Sequence, residues 1–173
     1  MSHPQLILQS ERLAFTTWSP DHIDDVVALH SDIEVTRYLS GRVEDASDAK
    51  RRMGEWAKDF EKYGWCKFRV FTKADGKFIG RAGFGLEEGE PEIGYAWLRS
   101  EWGKGYAVEA AVALRDWIFS STEHQSFIGF ASAANVPSNH ILKKIGMQFT
   151  NTEYDDSGKE VSFYKLTKEQ WYG

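Results

Sequence analysis

Hydrophobic and polar positions along the chain change period several times, and each change marks an element. From Leu6 to Trp18, Leu6, Leu8, Leu13 and Phe15 alternate with polar neighbours around Glu11-Arg12, and this period of two predicts one first β-strand. Ser19-Pro20-Asp21 then reads as a helix start, with Ser19 as N-cap and Pro20 at the first helical position. Ile23, Val26, Val27 and His30 form the inward stripe of that helix. Glu34 to Leu39 predicts a short second helix ending near Ser40-Gly41. A longer one begins at Asp45 or Ser47 and runs to Tyr63, with Met53, Trp56, Ala57 and Phe60 at helical spacing and Gly64 as its stop.

The period then returns to two. Cys66, Phe68 and Val70 alternate with Lys67 and Arg69 over Trp65 to Thr72, Asp75-Gly76 makes a hairpin turn, and Phe78 to Leu86 runs back. After the turn Glu87 to Pro91, a strand from Glu92 to Arg99 meets the loop Ser100-Glu-Trp-Gly-Lys-Gly105, which opens into a helix from Tyr106 to Phe119. The crossover through that helix leads to a parallel strand, Ser126 to Ala133. A helix from Val136 to Ile145 stops at Gly146, and strands Met147 to Tyr154 and Val161 to Leu166 close the chain around Asp155-Asp-Ser-Gly158. Both sheet modes occur, so the expected fold is α/β (α+β), one domain over residues 1–173 with a mixed, mostly antiparallel sheet flanked by helices.

The join at Gly103-Lys104-Gly105 reads as an anion cradle. Glycines there accept positive φ and let a phosphate approach the backbone, while the first turn of the following helix offers unpaired N–H groups and the positive end of its dipole. Lys104 is expected to add mobile positive charge at the mouth. A P-loop is excluded because Lys104 is followed by Gly105 and Tyr106, with no hydroxyl for magnesium. A dinucleotide fingerprint fails as well, since Val108 stands where its third glycine belongs and Phe127 to Ala131 carries no acid. A turn that only relieves a tight strand-to-helix corner is the competing reading.

Composition narrows the function classes. The 173 residues suffice for a sizeable core, and 42% hydrophobic content fits a globular domain. Lys plus Arg number 21 against 26 Asp plus Glu, a net charge of −5 that argues against nucleic acid as the main partner. Cys66 is the single cysteine, so an internal disulfide and a cysteine-rich zinc site are both excluded, and the five histidines lack metal-ligand spacing. No apolar run suits a signal peptide or a membrane span, and a cytoplasmic location is expected.

Two motifs carry a resemblance. Glu92-Ile-Gly-Tyr95 with Trp102-Gly-Lys-Gly-Tyr-Ala107 and Glu109-Ala110 is similar to the acetyl-CoA loop of the GNAT acetyltransferase superfamily, in its ribosomal-protein N-terminal acetyltransferase branch. Asn135-Val-Pro-Ser138 followed by Lys144-Ile-Gly146-Met147 resembles that branch's second signature. Met147 replaces the usual Phe, and Ser100 stands where the wider superfamily often has Arg or Gln. The resemblance spans roughly residues 5 to 168 and is dense from Glu92 to Met147.

What it implies is a seven-stranded GNAT-like sheet holding acetyl-CoA between splayed central strands, and an acetyl-CoA-dependent N-acetyltransferase acting on a primary amine. Backbone groups of Trp97, Leu98 and Arg99, left unpaired by the splay, would bind the pantetheine arm. Trp102, Gly103, Lys104, Gly105, Tyr106 and Ala107 would surround the pyrophosphate, with Tyr106 inward and Trp102 near the cofactor unless both are core. Glu92 is the candidate general base, or else a solvated strand-end acid. Glu109 is expected to favour the helix N-terminus or to pair with a neighbour. Asn135 would meet the cofactor arm. Ser138, on one face with Ile141, Leu142 and Ile145, would donate to the departing sulfur or, alternatively, bond its own first turn. His140 is expected at the surface, on the polar side of its helix with Asn139 and Lys143. Trp56, Tyr38 and Tyr63 either line the acceptor pocket or form the core of the first helices.

The expected partners are acetyl-CoA and a protein N-terminus or small amine, with no nucleic acid, membrane or metal, in a monomer or homodimer. A non-catalytic acyl-CoA-binding or sensory module is the alternative, and an NAD- or ATP-binding domain a third.

Overall fold

The computed structural model describes residues 3–173. Its eight strands form one mixed sheet in the order β1-β2-β3-β4-β5-β6-β8-β7, and its contacts gather in two compact units. The first unit holds the described residues up to Gly83 together with Tyr95–Tyr106, and the second holds Phe84–Gly94 and Ala107–Gly173.

In the first unit the expected opening strand is two: β1 (Leu6–Gln9) and β2 (Leu13–Thr16) pair antiparallel, with the chain turning at Ser10 to Arg12. The alternation hid this because Ser10 to Arg12 resembles a polar interruption in one strand, yet Ser10 closes a turn by exchanging hydrogen bonds with Leu13. This hairpin accounts for the eighth strand where seven were expected. All four residues of β2 are buried, so it is covered on both faces and not on one.

A single 3₁₀ turn, Pro20–His22, capped by Ser19, leads into α1 (Ile23–His30). Then come α2 (Ile33–Thr36) and α3 (Ala46–Tyr63), the last capped by Asp45 and stopped by Gly64 in the left-handed region. Trp56 of α3 is buried and stacks on Trp18 at 5.0 Å, so it is core, while Ala57 faces solvent. The sheet continues through β3 (Lys67–Thr72) into β4 (Phe78–Glu87), with Phe68, Val70 and Ile79 fully buried. Burial pushes the Cys66 thiol well above its usual range, so this cysteine is an inert packing group.

Gly80 of β4 explains how β5 (Glu90–Trp97) lies so close at its C-terminal end. A Cβ at Gly80 would collide with the Ala96 carbonyl and come within 2.7 Å of the Trp97 ring. Leu29, Phe78 and Ala96 form a core cluster here, supported by Trp18, Val35 and Leu98.

In the second unit, α4 (Tyr106–Ser121) buries Ala110, Ala111, Leu114, Ile118 and Phe119. Phe127 receives Phe84 and Phe119 at ring distances of 5.6 and 5.4 Å. β6 (Ser126–Ser132) pairs parallel with β5 at Glu92↔Ile128 and antiparallel with β8 (Glu160–Thr167) along its whole length. α5 (Val136–Lys144) packs Leu142 close over Gly129, and β7 (Gln148–Tyr154) is an edge strand whose residues are all exposed. The closing α6 (Lys168–Tyr172), capped by Thr167, was not expected from periodicity because it is only five residues long. Its Trp171 donates to Asp116 at 2.9 Å and packs on Phe119.

Candidate active site and its phosphate-binding loop

The chain leaves β5 through a 3₁₀ turn, Arg99–Glu101, passes Trp102 in extended backbone, and enters α4. Gly103 and Gly105 have φ of 76° and 83°, a region that L-residues with a Cβ rarely adopt. The loop therefore depends on glycine at both positions. It delivers the backbone onto the first turn of a 16-residue helix, whose leading N–H groups have no partner within the helix. The residues present thus suit a diphosphate, by backbone conformation and by dipole.

Lys104 does not carry its charge freely at the mouth. Its Nζ donates to Glu101 Oε2 at 2.8 Å, and Lys77 Nζ donates to the other carboxylate oxygen. Glu101 itself is buried, and the bonds from Lys104 and then Lys77 hold its carboxyl below the usual range. Sequence reading missed this pivot. Glu101 is three residues before Lys104, a weak local signal, whereas Lys77 lies 24 residues away and only the folded sheet brings it there.

The expected rail of unpaired backbone needs a correction. The Leu98 N–H donates to Ile79 O at 2.9 Å, and its carbonyl accepts from the Glu101 N–H at 2.9 Å. The Trp97 carbonyl accepts from the Trp102 indole at 3.0 Å, and the Arg99 carbonyl from the Trp102 N–H at 3.2 Å. These groups are used because the 3₁₀ turn folds back on the strand end, a local geometry that a motif does not encode. The Arg99 side chain reaches away to Asp32 with bonds of 2.8 and 3.1 Å. Trp102 is 48% exposed, and Tyr106 is half-buried beneath the guanidinium of Arg12 at 4.4 Å from its ring centre.

In the second unit, Glu92 is half-buried in the N-terminal half of β5, opposite Ile128, and Ala107 and Glu109 lie in the first turns of α4. Asn135 caps α5, its Oδ1 accepting from the Ser138 N–H at 3.3 Å. Ser138 is half-buried in the first turn of α5, four residues before the buried Leu142 and seven before the buried Ile145. Asn139 is not a polar surface residue: its amide donates to the carbonyls of Ser132 and Asn135 at 2.9 and 2.8 Å and accepts from Tyr164 OH at 2.7 Å. It pins the start of α5 to the end of β6, while His140 beside it is exposed. Trp56 is core, Tyr38 is exposed, and Tyr63 stacks on Trp65 at 4.7 Å. No helix among the described residues is long and apolar enough to cross a membrane.

Comparison with known proteins adds family and fold. Residues 12–148 match the family described as "Acetyltransferase (GNAT) domain". The chain is similar to an uncharacterized N-acetyltransferase, p20, of Bacillus licheniformis, with 32% identity over 146 residues and 82% of each chain covered. Among solved structures, a GNAT-family acetyltransferase from Bacillus anthracis superposes with a TM-score of 0.83 at 23% identity, covering 95% of this chain and 99% of that one. A RimL ribosomal L7/L12 alpha-N-protein acetyltransferase in complex with coenzyme A superposes at 0.81 with 16% identity, over 94% of this chain and 98% of its own.

Proposed function

Because the chain belongs to the GNAT acetyltransferase family, an enzyme family whose co-substrate is acetyl-CoA, we propose that it acetylates a primary amine, either a protein N-terminus or a small amine, by direct attack in a ternary complex. The observation that carries this reading is the pair of left-handed glycines, Gly103 and Gly105, delivering the chain onto the N-terminus of α4. That conformation has a physical use in letting the diphosphate of acetyl-CoA reach backbone amides.

In this reading the amine nitrogen forms a bond to the acetyl carbonyl carbon, the carbon–sulfur bond breaks, and the sulfur leaves with its electron pair. Glu92 takes the proton from the attacking amine, directly or through water, and the Ser138 hydroxyl returns a proton to the sulfur. The proton count closes through solvent: Glu92 passes its proton to water, Ser138 regains one from water, and the net change is one proton moved from nitrogen to sulfur. Support for Ser138 comes from its half-buried position in the first turn of α5, and support for Glu92 from its half-buried position in β5.

The test is CoA release from acetyl-CoA in the presence of a panel of amines and N-terminal peptides, with products identified by mass spectrometry. Amine-dependent release by the wild type is expected. Glu92→Gln should lose on the order of 10²–10⁴ in turnover with the acetyl-CoA KM nearly unchanged. Ser138→Ala should lose about tenfold, roughly 1.4 kcal/mol of transition-state stabilisation. Tight acetyl-CoA binding with no release across the panel would favour a sensory acyl-CoA-binding module instead.

A further inference from the structure

A residue remote in sequence touches the loop from Gly103 to Tyr106 at three points. Arg12 lies at the turn between β1 and β2, 92 positions before Lys104, and its Nη1–H donates to the Lys104 carbonyl at 3.0 Å. Its guanidinium carbon sits 4.4 Å from the centre of the Tyr106 ring, close enough for cation–π attraction. A Cβ at Gly105 would come within 3.4 Å of Nη2, so the guanidinium also lies against the second glycine. Arg12 is itself anchored: its carbonyl accepts from the Lys73 N–H at 2.9 Å, Lys73 Nζ bonds Ser10 O at 3.1 Å, and the next residue, Leu13, is fully buried.

The peptide joining Lys104 to Gly105 is planar and trans, so its C=O and N–H point in opposite directions. Holding the carbonyl toward Arg12 therefore aims the Gly105 N–H away from Arg12. Both glycines flanking Lys104 are conformationally permissive, and nothing in their own chemistry selects this orientation over the flipped one. The Lys104 side chain does not select it either, because its ammonium is bound to Glu101.

We propose that Arg12 is a positioning residue for diphosphate binding, fixing the Lys104–Gly105 peptide so that the Gly105 amide is presented to the anion before the ligand arrives. This inference rests on the acetyl-CoA reading above and names a part of that site outside both of its sequence motifs. The fork is essential to it. A lysine has one point of donation and cannot bond the carbonyl while lying flat on the tyrosine ring.

The experiment is calorimetric affinity of wild type, Arg12→Lys and Arg12→Met for acetyl-CoA over a range of salt, with kcat/KM for S-acetylpantetheine, which lacks phosphates, as the comparison. Arg12→Met is expected to weaken acetyl-CoA binding about ten- to hundredfold, the scale of one lost charge-assisted bond. Arg12→Lys should recover little of that loss, kcat/KM for S-acetylpantetheine should stay within about twofold, and the salt dependence of acetyl-CoA affinity should keep the wild-type slope. Thermal melts and the nitrogen-bound proton resonance of Gly105 are read alongside, the resonance shifting or broadening in both variants while the fold persists. Unchanged acetyl-CoA affinity in a folded Arg12→Met protein overturns the inference, as does equal loss for both substrates. A reduced salt slope overturns it too, because it would make Arg12 a direct phosphate contact. Failure of the wild type to bind acetyl-CoA at all would remove the underlying reading and the inference with it.

Discussion

Two carboxylates in the first unit, Glu44 and Glu101, are both buried and both held by two basic residues, yet they are built for opposite purposes. Around Glu44 the partners are mostly enclosed, with the Arg52 side chain 19% exposed. Arg52 grips it with two bonds of 2.6 and 2.8 Å, His30 Nδ1 lies 3.3 Å away, and Arg81 donates to His30 Nε2 at 3.1 Å while lying over Trp56. His30 and Arg81 are themselves buried. Around Glu101 the partners are lysines, about half exposed, with flexible stems and single-point donors. The difference separates two ways of holding a carboxylate: a forked, largely enclosed guanidinium locks Glu44 in place, while half-exposed lysines leave Glu101 with partners that can swing into solvent.

The enclosed cluster should yield the largest effect. Glu44→Ala leaves the Arg52 guanidinium facing a void with no counter-charge, which should cost about 3–5 kcal/mol and lower Tm on the order of 10 °C. Acetyl-CoA affinity of the surviving folded protein should stay within about twofold. Chemical denaturation and calorimetry together check the pair of outcomes, and a large affinity loss at full occupancy of the folded state would erase the distinction between the two regions.

Acid should attack the same cluster next. Burial, followed by the charges of Arg81 and Arg52, lowers the His30 pKa from 6.5 to about 3. The unfolded chain therefore takes up a proton that the folded chain refuses, so this contribution to stability is full above pH 6.5 and is lost as pH falls toward about 3. For Glu44, burial works against ionisation, but the bonds from Arg52 and Ser40 outweigh it and bring the pKa from 4.5 to about 2. Its contribution is present above pH 4.5 and disappears as pH falls to about 2. Urea midpoints should thus decline between pH 6.5 and 4.5 in the wild type and decline less in His30→Gln. Parallel profiles would assign the acid loss to other groups.

Glu101→Gln is expected to cost only about 1 kcal/mol in stability, because its lysines can turn to water. It should nevertheless weaken acetyl-CoA binding several-fold by untethering Lys104 between the two glycines. Tighter binding would instead mean that the carboxylate repels the phosphates more than it organises the loop. The smallest change belongs to Lys104→Met, within about 0.5 kcal/mol in stability, as for an exposed ion pair; a larger shift in melting would make this pair part of the scaffold.

Much of this molecule is local, and what is local was readable. Ser19, Asp45 and Gly64 mark their helix ends, Gly76 and Gly158 their turns, and the motifs from Glu92 to Met147 carry the family resemblance that residues 12–148 bear out. These features depend on φ preferences, capping and side-chain period, which act over a few residues and so leave a trace in the order of amino acids. Tertiary structure alone decided the rest. The pairing of Leu98 with Ile79, and the meeting of Lys77 with Glu101 and of Arg12 with Lys104, join residues that the chain order keeps far apart, up to 92 positions for the last. A hydrogen bond between distant groups has no period and no motif; it exists only once the sheet has fixed which strands are neighbours. The sequence determined the glycines that can bend at the loop, and the fold determined which charges hold them bent.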